Sequence, residues 1–159
     1  MTRIWAAIAF FISAAISVAA AQAADPSLSV SGLVVRPLHL TLADLKSFPV
    51  IHVSATQASG KGPVVLDCSG AALTALLDKA TLNVGKANNA NLAHSVLITA
   101  DDGYAVALSL GEIDPDYGNA GPIIATDCSG KPLDAPRLVM PNDKHGGRAV
   151  KGVVSIAVK

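Results

Sequence analysis

The tetrapeptide Asp-Cys-Ser-Gly occurs twice in this chain, and its two copies carry the only cysteines, Cys68 and Cys128. Each copy runs on as Gly-x-x-Leu, once in GAAL and once in GKPL. Two cysteines 60 positions apart can be a bridge, two separate buried thiols, or parts of a reactive or metal-binding centre. Each choice constrains the fold differently. Zinc sites draw their ligands from closely spaced cysteine or histidine pairs, and His39, His52, His94 and His145 form no such pair. A cysteine nucleophile needs an adjacent base, and no local motif supplies one.

The compartment decides between the remaining readings. The N-terminus, MTRIWAAIAFFISAAISVAAAQAADP, places Arg3 before an Ala-rich apolar run that ends in Ala21-Gln22-Ala23. This is the pattern of a secretory signal peptide cleaved before Ala24. The expectation is therefore a signal peptide over 1–23 and one domain over 24–159. That domain is expected to be periplasmic or secreted, monomeric, and without stable membrane insertion once the signal is removed. In an exported chain an even cysteine count favours a disulfide, so Cys68–Cys128 is the expected bridge and separate buried thiols are the alternative. On the chain-entropy view, closing so long a loop contributes about 4 kcal/mol. Asp, Ser and Gly around each cysteine read as the chemistry of turns at strand ends.

Cleavage leaves Phe48, Tyr104 and Tyr117 as the only aromatic residues. Base stacking and sugar binding both rely on aromatic faces, so nucleic acid and a large carbohydrate cleft are excluded as expected partners. Charge is unevenly spread. Asp101, Asp102, Glu112, Asp114, Asp116 and Asp127 fall in a stretch with no Lys or Arg. From Lys131 onward Lys131, Arg137, Lys144, Arg148, Lys151 and Lys159 outnumber Asp134 and Asp143. Within that basic third, NDKHGGRAVKG (142–152) gathers Lys144, His145, Arg148 and Lys151 around Gly146-Gly147. Cations and backbone amides in one loop can converge on an anion; a charged, solvated hairpin loop is the plain alternative.

Strand-like alternation predominates. LSVSGLVV (28–35), VIHVSAT (50–56) and PVVLDC (63–68) read as strands. HSVLITADDGYAVALSL (94–110) reads as two strands joined at Asp102-Gly103, a strong hairpin signal. IIATDCSGKPL (123–133) reads as a strand, a turn and the start of a return, and RLVMP and AVKGVVSIAVK as further strands. Two short helices are expected. TLADLKSF (41–48) opens on Thr41 with Asp44 three residues on, an N-cap and a favourable charge, and stops at Pro49. AALTALLDKA (71–80) carries an apolar stripe of Leu73, Leu76 and Leu77. QASGKG and GKANNAN read as loops, and the class is α+β.

The order of these pieces resembles the molybdopterin-binding domain of sulfite-oxidase-type oxidoreductases. The matching segments are LTLADLKSFP, CSGAALTALL, ADDGYAVALSL, PIIATDCSGKPL, PRLVMP and GGRAVKGVVSIAV, spread over residues from about Leu38 to the end. The resemblance implies a minimal form of that α+β domain. It also implies a molybdopterin cofactor whose phosphate is held by Arg148 and Lys151, with Arg137 on the preceding strand and His145 in the same loop. The family's metal is held by a cysteine thiolate. The corresponding region here, HVSATQAS, has no cysteine, and Cys68 stands where the family carries an aromatic residue. The family's longer N-terminal part is absent, VKG replaces Val-Lys-Trp, and the leader holds one arginine where folded, cofactor-loaded export uses two. Two functions follow as expectations. One is an exported oxidoreductase-like protein that binds molybdopterin and works with a redox partner protein. The other is a cofactor-free binding module with a pocket for a small anionic ligand.

Overall fold

The computed structural model describes residues 27–159; the expected signal peptide lies outside them. Among the described residues nine strands form two sheets, accompanied by three short α-helices and two 3-10 turns, an α+β arrangement. The larger sheet has the order β2-β1-β9-β5-β6, from β1 (Ser27–Gly32), β2 (Leu38–Thr41), β5 (Ser95–Ala100), β6 (Ala105–Ser109) and β9 (Val153–Val158). The smaller sheet has the order β3-β4-β7-β8, from β3 (Val50–Ser59), β4 (Gly62–Ala72), β7 (Ile123–Cys128) and β8 (Lys131–Val139). Only β1 and β9 pair in parallel; every other pairing within the sheets is antiparallel.

Helix α1 (Leu42–Lys46) forms because Thr41 caps it. The Asp44 amide donates to the Thr41 hydroxyl oxygen at 3.2 Å, and the Thr41 amide donates to the Asp44 carboxylate at 2.9 Å. This reciprocal box satisfies donors that a helix start otherwise leaves bare. Helix α2 (Leu73–Ala80) buries Leu73, Leu76, Leu77 and Ala80, the spacing that puts one stripe against a core. Its partners are the inward side chains of the larger sheet, among them Leu28, Val30, Val96, Ile98, Ile156 and Val158. Along β5 the buried residues are Val96, Ile98 and Ala100, one face of a half-buried strand. A smaller cluster of Val53, Ala55, Leu66, Cys68, Ile123, Ala125 and Val139 lines one face of the second sheet.

Cys68 and Cys128 are direct register partners on β4 and β7, and their sulfurs are bonded. The repeated tetrapeptide thus marks the matching points of two neighbouring strands. Two residues further along β4 the register shifts, and Gly70 passes so close to β7 that a Cβ there would be driven into the Ile124 carbonyl. Glycine is required at that crossing.

Several elements differ from the sequence reading. QASGKG is no loop: β3 and β4 continue to Ser59 and Gly62, leaving Gly60-Lys61 as the turn. The strand AVKGVVSIAVK shortens to Val153–Val158, and RLV belongs to β8, whose return from Ser129-Gly130 runs unbroken to Val139. The two expected helices become three, because Leu110 and Ile113 turn inward into the core and close one turn of helix, α3 (Leu110–Ile113). Four residues are too few for periodicity to register.

Candidate functional site

The basic third of the sequence folds as β8, a loop and β9, with the 3-10 turn Gly146–Arg148 inside the loop. Three contacts fix this loop. The Ala58 amide on β3 donates to the Lys144 carbonyl at 2.7 Å, and His145 bridges to the same residue in parallel. The Tyr104 hydroxyl, from the β5–β6 hairpin, donates to the Gly147 carbonyl at 2.5 Å. That hairpin turns at Gly103, whose φ of +86° is open to glycine, and the Tyr104 amide caps the Asp102 carboxylate at 2.8 Å.

The third contact is Arg148 itself. Its Nε and Nη2 donate to the two Asp143 oxygens at 2.9 and 2.6 Å, and its Nη1 donates to Glu112 on α3 at 2.7 Å. These hydrogen bonds, Asp143 first, hold the guanidinium above its ordinary pKa against the opposing effect of burial. Arg148 is therefore neutralised by two carboxylates and fastens the loop to α3.

Arg137 and Lys151 are placed otherwise. They pair across an antiparallel bridge between β8 and the residue chain leading into β9. Together with Leu133, Asp134, Ala135 and Gly152 they line a cleft of about 340 Å³. Arg137 is partly buried, burial pushes its pKa down, and its Nε has no hydrogen-bond partner among the described residues. A guanidinium stays charged at any accessible pH, so this cation lacks a full set of acceptors. Asp134 lies in the same lining, and the Asp101 carboxylate abuts Gly152, so the cleft is not purely basic. Of the four residues expected to meet an anion, the structure brings Arg137 and Lys151 to one cleft. Arg148 is taken up by Asp143 and Glu112, and His145 lies outside the cleft's lining.

Sequence reasoning missed the acceptors. Asp143 is five positions from Arg148 and was visible as a local partner, whereas Glu112 reaches it across 36 positions. Gln57 was also silent: it is 5% exposed, its Nε2 has no partner among the described residues, and its Oε1 faces Gly146. For a metal the donor set does not fit. Both cysteines are consumed by their bond, and no group of three or more His, Cys, Asp or Glu side chains gathers at a metal-binding distance among the described residues. No helix among those residues is long and apolar enough to cross a membrane.

No family model matches the chain, and no curated protein does so. Solved structures do. The sulfane dehydrogenase SoxCD from Paracoccus pantotrophus superposes with a TM-score of 0.66 at 19% identity, over 83% of this chain and 37% of that one. The chain thus spans well under half of SoxCD, and at this identity the likeness is one of fold.

Proposed function

We propose that this chain is an exported, oxidoreductase-related protein whose working feature is an anion-binding cleft at Arg137 and Lys151. The observation that carries the reading is the partly buried Arg137 beside Lys151 in the lining of one open cleft, neither side chain in an ion pair among the described residues, while Arg148 is already neutralised. A small phosphate- or sulfur-oxyanion-bearing ligand would satisfy the guanidinium edge and the ammonium together, since guanidinium groups match planar or tetrahedral oxyanions. Asp134 at the rim would select against a second negative group nearby.

The oxidoreductase relation rests on the fold shared with a sulfane dehydrogenase and on the sulfite-oxidase-type motif order. A second reading, a molybdopterin cofactor, draws on the same cleft, because Arg137 and Lys151 would hold the pterin's phosphate. Its metal end finds no thiolate, both cysteines being bonded. Purification from the envelope of its own host, with assays for molybdenum, pterin and phosphate per chain, tests the proposal. It predicts a phosphate- or oxyanion-bearing ligand without stoichiometric molybdenum. One molybdenum and one pterin per chain would overturn it in favour of the second reading.

A further inference from the structure

Each sheet ends in two edge strands, and three of the four edges are blunted. β2 has four residues and β6 five. β8 is longer but holds Pro132 and Pro136 with Lys131, Asp134 and Arg137. Short length, proline and charge are the usual means by which proteins keep an edge from pairing with another chain. β3 has none of them. It runs ten residues, VIHVSATQAS, without Pro, Lys, Arg, Asp or Glu. It also exposes apolar surface, with Val50 56% and Ile51 42% accessible.

The direction of its free hydrogen-bonding groups is fixed. The Ala58 amide points away from β4, to the Lys144 carbonyl. Main-chain groups alternate along a strand in an antiparallel pair, so those of Val50, His52, Ser54 and Thr56 also point outward. Opposite Ala58, Pro63 has no amide to offer, which agrees with this phase. Among the described residues, β3 has no other strand partner than β4. Pro49 closes one end of the open stretch and the Lys144–His145 segment closes the other, leaving 50–56 free, with Val53 at its midpoint.

We infer that this edge is a self-association surface: two copies pair antiparallel through β3 about a two-fold axis at Val53, joining their small sheets. In that register Val50 meets Thr56 of the second copy, Ile51 meets Ala55, and His52 meets Ser54. Each outward residue faces another outward residue, so both members of a pair exchange their N–H and C=O bonds. Side chains of one face meet the same face, continuing the apolar row of Ile51, Val53 and Ala55. No like charges are opposed, because His52 is the only ionisable side chain on the strand and it meets a serine. This charge-free self-complementarity favours a second copy over a charged partner, and an isologous contact of this kind closes at two. It departs from the monomer expected from sequence.

Analytical ultracentrifugation of the exported chain over a wide concentration series tests the inference, with hydrogen exchange on the associated form. The expected result is a reversible dimer with slowed exchange at the His52, Ser54 and Thr56 amides. Ser54→Pro removes one outward N–H without touching the β4 ladder, since proline is tolerated on edge strands and Val53 before it is already extended. It is expected to abolish the dimer while leaving the melting transition in place. Thr56→Lys, which puts a charge on the same edge, is expected to do the same and decides the matter if the proline variant fails to fold. A wild-type chain that stays monomeric at every concentration would overturn the inference. So would a dimer that survives in the folded variants, or one with unprotected amides on β3. A monomer that instead captures an extended peptide on β3 would replace self-pairing with strand donation from another protein.

Discussion

Arg148 grips Asp143 with two parallel hydrogen bonds, at 2.9 and 2.6 Å, five residues apart along one loop. With the further bond to Glu112 this makes a tether from the 142–152 loop to α3. Arg148→Met is expected to loosen the loop and to lower stability by about 1 kcal/mol, since the side chain is more than a third exposed and solvent screens the pairs. Anion binding should be unaffected. Urea unfolding midpoints and anion titrations of the same variant check both parts; a large loss of binding would move Arg148 into the site.

The Cys68–Cys128 bond joins residues that already face each other in the sheet. Its stabilising effect then comes mainly from restricting the unfolded chain, about 2–4 kcal/mol. The double variant Cys68→Ser, Cys128→Ser should lose unfolding free energy by a margin of that size in urea titrations, and melt at lower temperature. The wild-type protein should resist alkylation in native, non-reduced form. Quantitative labelling of both thiols in protein kept from reductant would contradict the bridge.

Gly70 allows β4 and β7 to approach at the register shift. Gly70→Ala drives a methyl group into the Ile124 backbone carbonyl, where neither strand can yield without breaking its ladder. The expected cost is about 3 kcal/mol or more, within the range of severe overpacking. Gly60→Ala, at the β3–β4 turn, meets no atom within 4 Å and should be nearly neutral. Thermal melts of the pair separate close approach from a general effect of glycine replacement.

The Asp44 carboxyl is held below its ordinary value of 3.8, first by the Thr41 amide and then by the Thr41 hydroxyl. A carboxyl with a depressed folded pKa contributes stability that is present above 3.8 and lost as pH falls through the folded value. The α1 cap should therefore weaken only in strong acid, below the ordinary range of an aspartate. Asp44→Asn should flatten that part of the pH–stability curve. An unchanged acid limb in the variant would show that the cap carries no linked proton.

The elements legible in the sequence were those with a local cause. Thr41 and Asp44 announce α1, the stripe of Leu73, Leu76 and Leu77 announces α2, and Asp102-Gly103 announces the β5–β6 hairpin. The α+β class followed from their order. What could not be read were relations across the chain. Glu112 carries no mark that it will claim Arg148 from 36 positions away. Within one loop, nothing local separates Lys151, which faces the cleft, from His145, which bridges to β3. The single-turn α3 and the long β3–β4 hairpin were lost for a similar reason: Leu110 and Ile113 turn inward, and Gln57 is buried, through tertiary packing.

The central claim is that Arg137 and Lys151 form the anion site. Calorimetric titration of the protein with inorganic phosphate, beside the double variant Arg137→Met, Lys151→Met, tests it most directly. Loss of two charge-assisted bonds of about 1.5–3 kcal/mol each predicts that binding falls at least roughly a hundredfold in the variant, with Arg148→Met binding as the wild type does. Equal binding by the wild type and the folded double variant, or no binding by either, would contradict the account.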